Sequence, residues 1–209
     1  MKKETKEMKV RELIIEDDES KAKGVLIISL VDRPAIEEDF MKFHEEKLIF
    51  ATADTERRVV TGPAMIPDKY IYRIDEKTKE EFYVYFSKET IEAITTKFFK
   101  ELRNNQVNID HKTPITGAYI FESWLIKNSK TDKATELGYD LPEGTWMISM
   151  KIDNTEVWDK LIKEDALKGF SIEGYFIEKY SDTKEFKKEY PSKEEETIVK
   201  IKELLQKVK

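Results

Sequence analysis

The chain has 209 residues, 38% of them charged, and a formal net charge of -6 at pH 7. This acidic balance argues against a general nucleic-acid binder, whose phosphate contacts need a basic face. The absence of cysteine excludes disulfides, cysteine nucleophiles and thiolate zinc sites, and only two histidines are present. We therefore expect no metal and no cofactor. No stretch approaches the roughly 18 to 20 apolar residues of a membrane span, which predicts a soluble, intracellular protein.

The first 86 residues read mainly as strands. Residues 1–23 are mostly charged, with a short strand predicted from Arg11 to Glu16. The apolar run at 24–31, GVLIISLV, predicts a buried central strand. Pro63 and Pro67 indicate a bend or an edge. Residues 75–80 read as a hairpin loop. The other strand candidates are 48–53, 58–67, 70–74 and 81–86.

One helix and a hairpin are predicted in the middle of the chain. Ser87 is typical of a helix N-cap, and the residues after it recur at helical spacing. The apolar face of this helix is Ile91, Ile94, Phe98 and Leu102. Residues 107–112 and 118–126 then read as two strands of one hairpin, joined through TPITG.

The last third of the chain is predicted to contain one more strand and two helices. Residues 145–152 read as a strand, and a helix capped by Asn154 or Thr155 is predicted to stop at Gly169. A second helix is predicted within 191–209, as a terminal or removable tail. The domain prediction is a charged segment at 1–23, one domain at 24–180 and a charged, helical tail at 181–209.

Two polar residues in strand-like runs suggest a catalytic pair. Ser171 lies between Phe170 and Ile172 in the run LKGFSIEGYF, and His111 lies in VNIDHK. A serine nucleophile needs a base that titrates near neutral pH, and histidine is the usual one. His44 stands among charged residues and reads as a surface histidine. No nucleophile elbow, phosphate loop or HExxH motif is present.

Four motifs in order carry a family resemblance: GVLIISLVDRPAI near the start, GPAMIPDKYIYR, a strand with N-x-x-H, and GFSIEG. In this order they resemble the phage prohead (capsid-maturation) serine proteases of the XkdF-like branch, from about Gly24 to Phe176. The herpesvirus assemblins are similar in the strands that carry the base and the nucleophile. The resemblance implies an α+β fold, mainly an antiparallel β-barrel surrounded by helices.

By this resemblance, Ser171 is the nucleophile and His111 the general base of a serine endopeptidase. The implied substrates are the scaffold and major capsid proteins, and the protease itself, during prohead maturation. The implied location is the host cytoplasm, inside the assembling prohead. A homodimer fits the assemblin likeness, and neither nucleic acid nor a membrane is required.

The third catalytic residue is open, because no histidine follows Ser171 and the position where phage relatives place an acid is Ile27. Glu122 is the first choice, since the predicted hairpin pairs it with Ile109 on the face of His111. Glu173 shares a face with Ser171 and is second. Asp110 adjoins His111 and is third.

A second hypothesis makes the chain a catalytically inactive relative. In that case it would be a structural or scaffold protein of the phage capsid, with Ser171 and His111 as core residues. The presence of both residues in one chain favours the enzyme.

Overall fold

The computed structural model describes residues 5–15, 24–31, 52–54, 56–75, 77–162, 166–179 and 184–189. The strands are β1 (Thr5–Ile14), β2 (Gly24–Val31), β3 (Thr52–Asp54), β4 (Val59–Met65), β5 (Ile71–Ile74), β6 (Glu81–Tyr85), β7 (Val107–Ile109), β8 (Thr113–Pro114), β9 (Ala118–Leu125), β10 (Trp146–Ile152), β11 (Gly169–Tyr175), β12 (Ile177–Glu178) and β13 (Lys184–Glu189). The helices are α1 (Lys88–Lys100), α2 (Lys133–Glu136) and α3 (Thr155–Val157), with a 3-10 turn at Arg103–Asn105 and a π-helical turn at Trp158–Ile162.

The described strands form three sheets. The first has the order β12-β1-β6-β5, with β13 also paired to β1, and the second has the order β3-β4-β10-β9. The third, with the order β11-β2-β7-β8, is called the site sheet below. Pairing is antiparallel except between β1 and β6 and between β2 and β7, which are parallel.

The prediction of a mainly β protein of the α+β class is confirmed, but none of the described sheets closes into the predicted β-barrel. None of the three sheets returns to its own first strand. In the site sheet, β11 and β8 are the terminal strands, so the hydrogen-bonded ladder ends at both sides. The main core is formed by the second sheet, the site sheet and α1, while Met8, Val10, Tyr83 and Tyr85 of the first sheet form a separate buried cluster.

The apolar run at 24–31 forms the predicted central strand, β2. It lies between β11 and β7, and Ile28 and Leu30 are fully buried in the core. Helix α1 packs against β2 through the predicted residues Ile91, Ile94 and Phe98. Its N-cap is Ser87, whose hydroxyl accepts from the Thr90 N–H at 3.3 Å. The helix ends at Lys100, so Leu102 leaves the predicted face and is exposed.

Pro63 lies in β4 at the predicted irregularity, and Pro67 follows the strand. The pairing of β3 with β4 ends at Thr61, before Pro63. Because proline has no N–H to donate, this side of the strand suits it. On the other side, the register with β10 shifts between Trp146 and Met147.

The predicted hairpin between 107–112 and 118–126 is wrong. Ile109 is paired with Thr113, and Glu122 is paired with Ser149 on β10. The chain turns back earlier than predicted, at Asp110 and His111, so the first strand finds a very short partner in β8. The longer strand β9 pairs instead with β10, in a different sheet.

The helix predicted to stop at Gly169 is also shorter than expected. Asn154 is its N-cap, as predicted, but α3 passes into the π-helical turn that ends at Ile162. Gly169 begins β11, so Ser171 is the third residue of a strand. Leu167 is buried just before that strand.

Part of the predicted charged N-terminal segment belongs to the fold. β1 extends from Thr5 and pairs with β6, β12 and β13. The predictions for 16–23, His44, residues 48–51 and the helix at 191–209 lie outside the described residues. The division into domains stays a prediction.

Candidate active site

Register places Ser171 on the same face of the site sheet as three other polar residues. Ser171 on β11 is directly opposite Ser29 on β2, and Ser29 is opposite Asn108 on β7. Glu173 follows Ser171 by two residues, and side chains two apart share a face of a strand. The opposite face, which includes Ile28 and Leu30, enters the core.

Glycine allows the bend of β11 beside Glu173. The register with β2 shifts between Glu173 and Gly174. A Cβ built on Gly174 would lie 2.0 Å from the carbonyl oxygen of Gly24, which is closer than real Cβ contacts. The two backbones therefore approach closely only because residue 174 has no side chain.

A tight turn presents His111. Asp110 and His111 have φ of 48° and 59°, which is a left-handed conformation that Asp and His tolerate better than most residues. The turn is closed by the Lys112 N–H, which donates to the Ile109 carbonyl at 3.0 Å. The Asp110 N–H donates to the Leu30 carbonyl on β2, also at 3.0 Å. These two bonds fix the imidazole at the end of the site sheet.

Three side chains meet around one carboxylate oxygen, Oε1 of Glu173. The Ser29 hydroxyl donates to it at 2.9 Å, and the Asn108 side-chain N–H donates to it at 2.5 Å. His111 Nδ1 lies 3.0 Å from the same oxygen and 3.0 Å from Ser29 Oγ. We call Glu173, His111, Ser29 and Asn108 the Glu173 cluster.

The hydrogen bonds assign the histidine tautomer. A carboxylate only accepts hydrogen bonds, and the single hydroxyl proton of Ser29 is directed to Glu173. His111 Nδ1 must therefore carry a proton to bond to either partner. In the neutral ring Nε2 then carries none, and among the described residues it has no hydrogen-bond partner. A neutral imidazole held in this way can accept a proton at Nε2.

The Glu173 carboxylate is kept charged by its neighbours. Burial by itself would raise the pKa of Glu173, but hydrogen bonds from Asn108, Ser29 and His111 outweigh it and hold the pKa below the ordinary value. The amide oxygen of Asn108 is buried and has no partner among the described residues. A buried amide oxygen without a hydrogen bond costs free energy. The hydrogen bond that Asn108 donates to Glu173 therefore holds this side chain in place.

Ser171, His111 and Glu173 line one cleft of about 530 Å³. This volume is in the range of small-molecule and peptide side-chain pockets. Ser171 is 4% exposed, and the His111 side chain is 42% exposed. Ser29 is 0% exposed and is not part of the cleft wall.

Of the three acids considered from sequence, the structure brings Glu173 to His111. The first choice, Glu122, is placed in another sheet by the pairing of β9 with β10. Its carboxylate accepts from Lys133 at 2.5 Å and from Ser149 at 2.6 Å. The third choice, Asp110, adjoins His111 in the turn and is exposed.

Sequence reasoning gave no role to Ser29 or Asn108. Ser29 is the one polar residue in the apolar run GVLIISLV, and Asn108 is the Asn of the N-x-x-H motif. Both signals were present in the sequence, but only the cross-strand register shows that the two side chains meet Glu173. A polar residue inside a buried strand run is a useful indicator of such a network.

Comparison with known protein families matched residues 45–179 to the family described as "Putative phage serine protease XkdF". The match covers more than half of the chain. The chain belongs to this family. No curated protein and no solved structure matched it.

The matched part of this XkdF-family chain contains His111, Ser171 and Glu173, while Ser29 precedes it. The resemblance to the phage proteases is thus confirmed at the family level, and the likeness to the assemblins stays a prediction. Within the described residues, no helix is long and apolar enough to cross a membrane. The same residues contain no group of three or more His, Asp or Glu side chains suited to a metal ion.

Proposed function

We propose that this chain is a serine endopeptidase in which Ser171 is the nucleophile, His111 the general base and Glu173 the acid that orients the imidazole. The observation that carries the proposal is the Nδ1 contact of His111 with Glu173, made at the edge of the cleft that Ser171 lines. With Nδ1 held by the carboxylate, Nε2 is the nitrogen left for proton transfer. Membership of a family described as phage serine proteases supports the same reaction class.

In the proposed reaction, Ser171 Oγ attacks the carbonyl carbon of the scissile peptide bond while His111 Nε2 takes the hydroxyl proton. The tetrahedral intermediate collapses, the C–N bond breaks, and His111 returns the proton to the leaving amine. Water then attacks the acyl-enzyme with His111 again as base, releasing the acid product and restoring Ser171. Throughout the cycle, Glu173 stabilises the positively charged imidazole.

Ser29, and not Ser171, is in hydrogen-bond contact with this imidazole, and accessibility separates the roles of the two serines. Ser29 is completely buried, and its proton is already donated to Glu173. Ser171 is the direct cross-strand partner of Ser29, and it contacts the cleft into which a substrate could enter. A nucleophile must touch its substrate, so we assign attack to Ser171 and a positioning role to Ser29.

The position of Glu173 accounts for the missing acid at Ile27. Glu173 is the cross-strand partner of Ile27, where the family resemblance expects an acid. Partners in neighbouring strands have Cβ atoms about 4.5 to 5.5 Å apart, so a carboxylate from either strand can reach the same imidazole. We propose that in this chain the acid comes from the neighbouring strand.

The biological role proposed is cleavage of scaffold and capsid proteins, and of the protease itself, inside the assembling prohead. The phage family supports this role, and the full-length chain carries charged ends that could be removed. The other candidate, an inactive structural protein of the capsid, predicts no turnover. Both can be tested on the same purified protein.

The deciding experiment is labelling with a fluorophosphonate, which reacts covalently with activated serines, followed by tryptic mass spectrometry. Cleavage after Lys168 and Lys179 gives a peptide that contains Ser171 but not Ser29. We expect the label on that peptide, and we expect Ser171→Ala to abolish both labelling and any trimming of the chain ends. Ser149→Ala is the matched control, because Ser149 also donates to a glutamate but lies in another sheet.

Label on Ser29 in place of Ser171 would reverse the two assignments. No label on either serine, together with a stable full-length chain for both wild type and Ser171→Ala, would favour the inactive structural protein.

A further inference from the structure

The cleft next to Ser171 combines an apolar wall with an arginine that has no carboxylate partner among the described residues. The apolar part of the lining includes Leu13, Leu26, Ile71, Phe86, Ile172 and Phe176. Arg73 lines the same cleft, and its Nη1 donates to the backbone carbonyl of Tyr72 at 2.8 Å. The apolar part of this wall suits an apolar side chain of a bound peptide, and Arg73 suits an acidic side chain of the same peptide.

Arg73 differs in its partners from Arg11 and Arg103, which form ion pairs. Arg11 is paired with Glu80 and Glu178, and Arg103 is paired with Glu101. Within the described part of the chain Arg73 has only the carbonyl contact. A guanidinium has five N–H donors in a fork that matches a carboxylate, so most of its donors remain for a ligand.

The surroundings of Arg73 strengthen its attraction for an anion. Burial lowers the pKa of Arg73, which indicates that part of the guanidinium is withdrawn from water. Charge interactions are stronger where water is partly excluded. The side chain nevertheless remains exposed enough for a ligand to reach it.

The other charges of the cleft favour the same ligand. Lys69 adds a second cation to the lining. Among the described lining residues the one carboxylate is Glu173, which already accepts hydrogen bonds from Ser29 and Asn108. Arg73 therefore places a positive charge in the cleft of a chain whose net charge is -6.

The location of Arg73 also suits an extended peptide. Arg73 and Ile71 are two apart on β5 and both line the cleft. β5 is the terminal strand of its sheet, with β6 as its one hydrogen-bonded neighbour among the described strands. An extended segment lying along this edge would place alternate side chains toward Ile71 and Arg73.

We infer that the substrate of this site is an extended peptide segment with an apolar side chain in the cleft and a glutamate or aspartate bound by Arg73. The inference rests on the proposed peptidase function, because the bound peptide is a substrate only if the chain cleaves it. Binding itself can be measured without catalysis. A carboxylate in a bidentate contact with arginine is recognised far better than the neutral amide of the same shape.

The test uses two sets of fluorescent decapeptides, each with the same apolar residues. In the first set a single Glu is moved along the peptide, and in the second set Gln replaces it at each position. Binding is measured by fluorescence polarisation on full-length Ser171→Ala protein, and cleavage is measured by mass spectrometry with the wild type. We expect at least one Glu position to improve binding and kcat/KM by about 10- to 100-fold over its Gln counterpart.

The variants assign this preference to Arg73. Arg73→Glu should abolish the preference for Glu over Gln, and Arg73→Lys should keep part of it. Lys127→Glu is the matched control, because it makes the same change in net charge at an exposed residue outside the cleft lining. It should leave the preference unchanged.

The outcomes separate the specificity from the reaction. Cleavage by the wild type without a preference for Glu, or a preference that Arg73→Glu does not change, would overturn the inference and leave the peptidase proposal standing. Binding of Glu peptides that depends on Arg73, with no cleavage by the wild type, would support the subsite and count against the peptidase. Equal binding of the Glu and Gln sets would overturn the inference even if nothing is cleaved.

Discussion

Two glutamates of this chain have similar surroundings but different partners. Glu173 accepts a hydrogen bond from Ser29 and contacts His111, while Glu122 accepts from Ser149 and contacts Lys133. For each carboxyl, burial alone would raise the pKa, and hydrogen bonds from its neighbours lower it below the ordinary value. A serine, a glutamate and a basic side chain therefore occur together twice.

The difference lies in the basic group and in access. An imidazole changes its protonation near neutral pH and has a second nitrogen for proton transfer, while a lysine ammonium has three donors and no acceptor. Glu173 and His111 line the cleft, and neither Glu122 nor Lys133 does. Lys133 also packs over the ring of Trp124, with Nζ 4.9 Å from its centroid, as a structural ion pair would. The comparison teaches that a hydrogen-bonded Ser–Glu pair is a candidate catalytic site when the glutamate also contacts a histidine and the group lines a cleft.

We call Glu122, Ser149 and Lys133 the Glu122 cluster. Replacing the basic group should give the largest contrast between it and the Glu173 cluster. His111→Asn keeps a residue that tolerates positive φ, so the turn is retained while the base is lost. We expect kcat on a cleaved peptide to fall by about 10²- to 10⁴-fold, as for loss of a general base. Lys133→Gln should leave kcat within about twofold, since it lies outside the cleft. A comparable loss in both variants would show that the Glu122 cluster also serves the reaction.

Neutralising the two acids should give the next largest contrast. Glu173→Gln removes the charge that stabilises the imidazolium and allows the wrong tautomer of His111, so kcat should fall by about 10²-fold or more. Glu122→Gln should change stability but not kcat. Steady-state kinetics of the two variants with one peptide substrate check this prediction. A larger loss for Glu122→Gln would return Glu122 to the catalytic role.

The two buried serines should differ by a smaller amount. Ser29→Ala removes one hydrogen bond to Glu173 and one to His111, so kcat should fall by about tenfold or less, with KM unchanged. This separation of kcat from KM is expected for a positioning residue and not for a merely structural one. Ser149→Ala should change neither constant. Complete loss of activity in Ser29→Ala, with Ser171→Ala still active, would make Ser29 the nucleophile.

The smallest expected effect is one that the two clusters share. The pKa of each carboxyl is lower in the folded protein than in the unfolded chain, where the pKa of glutamate is about 4.3. Each therefore stabilises the fold above that pH, and the contribution is lost as the pH falls through the folded pKa. The difference in unfolding free energy between wild type and Glu173→Gln should shrink as the pH falls below about 5. The same trend in Glu122→Gln would confirm that the clusters differ in chemistry and not in electrostatic stabilisation.

Sequence patterns were sufficient where local forces decide the structure. The cap at Ser87 and the spacing of Ile91, Ile94 and Phe98 predicted α1, because a helix satisfies its backbone hydrogen bonds within itself. The apolar run of β2 was equally clear, since an uninterrupted run of this length predicts a strand buried on both faces. His111 and Ser171 were found for a related reason: each is a chemically capable residue in a strand-like run.

Long-range choices were not readable from the sequence. The alternation of side chains in β9 is compatible with pairing to β7 or to β10, and nothing local decides between them. The choice of Glu122 as third residue failed with that pairing. Glu173 was kept as an alternative because its separation of two residues from Ser171 is a local fact. Its contacts with Ser29 and Asn108 needed the register of three strands.

The sequence by itself determined the main strands, the long helix and the choice of Ser171 and His111 as candidates, because these follow from periodicity, capping and residue chemistry within a few positions. The tertiary structure decided which acid meets the imidazole, which serine contacts the cleft and where Arg73 lies. Those outcomes depend on strand order and register, which are set by the burial of whole faces and not by any short segment.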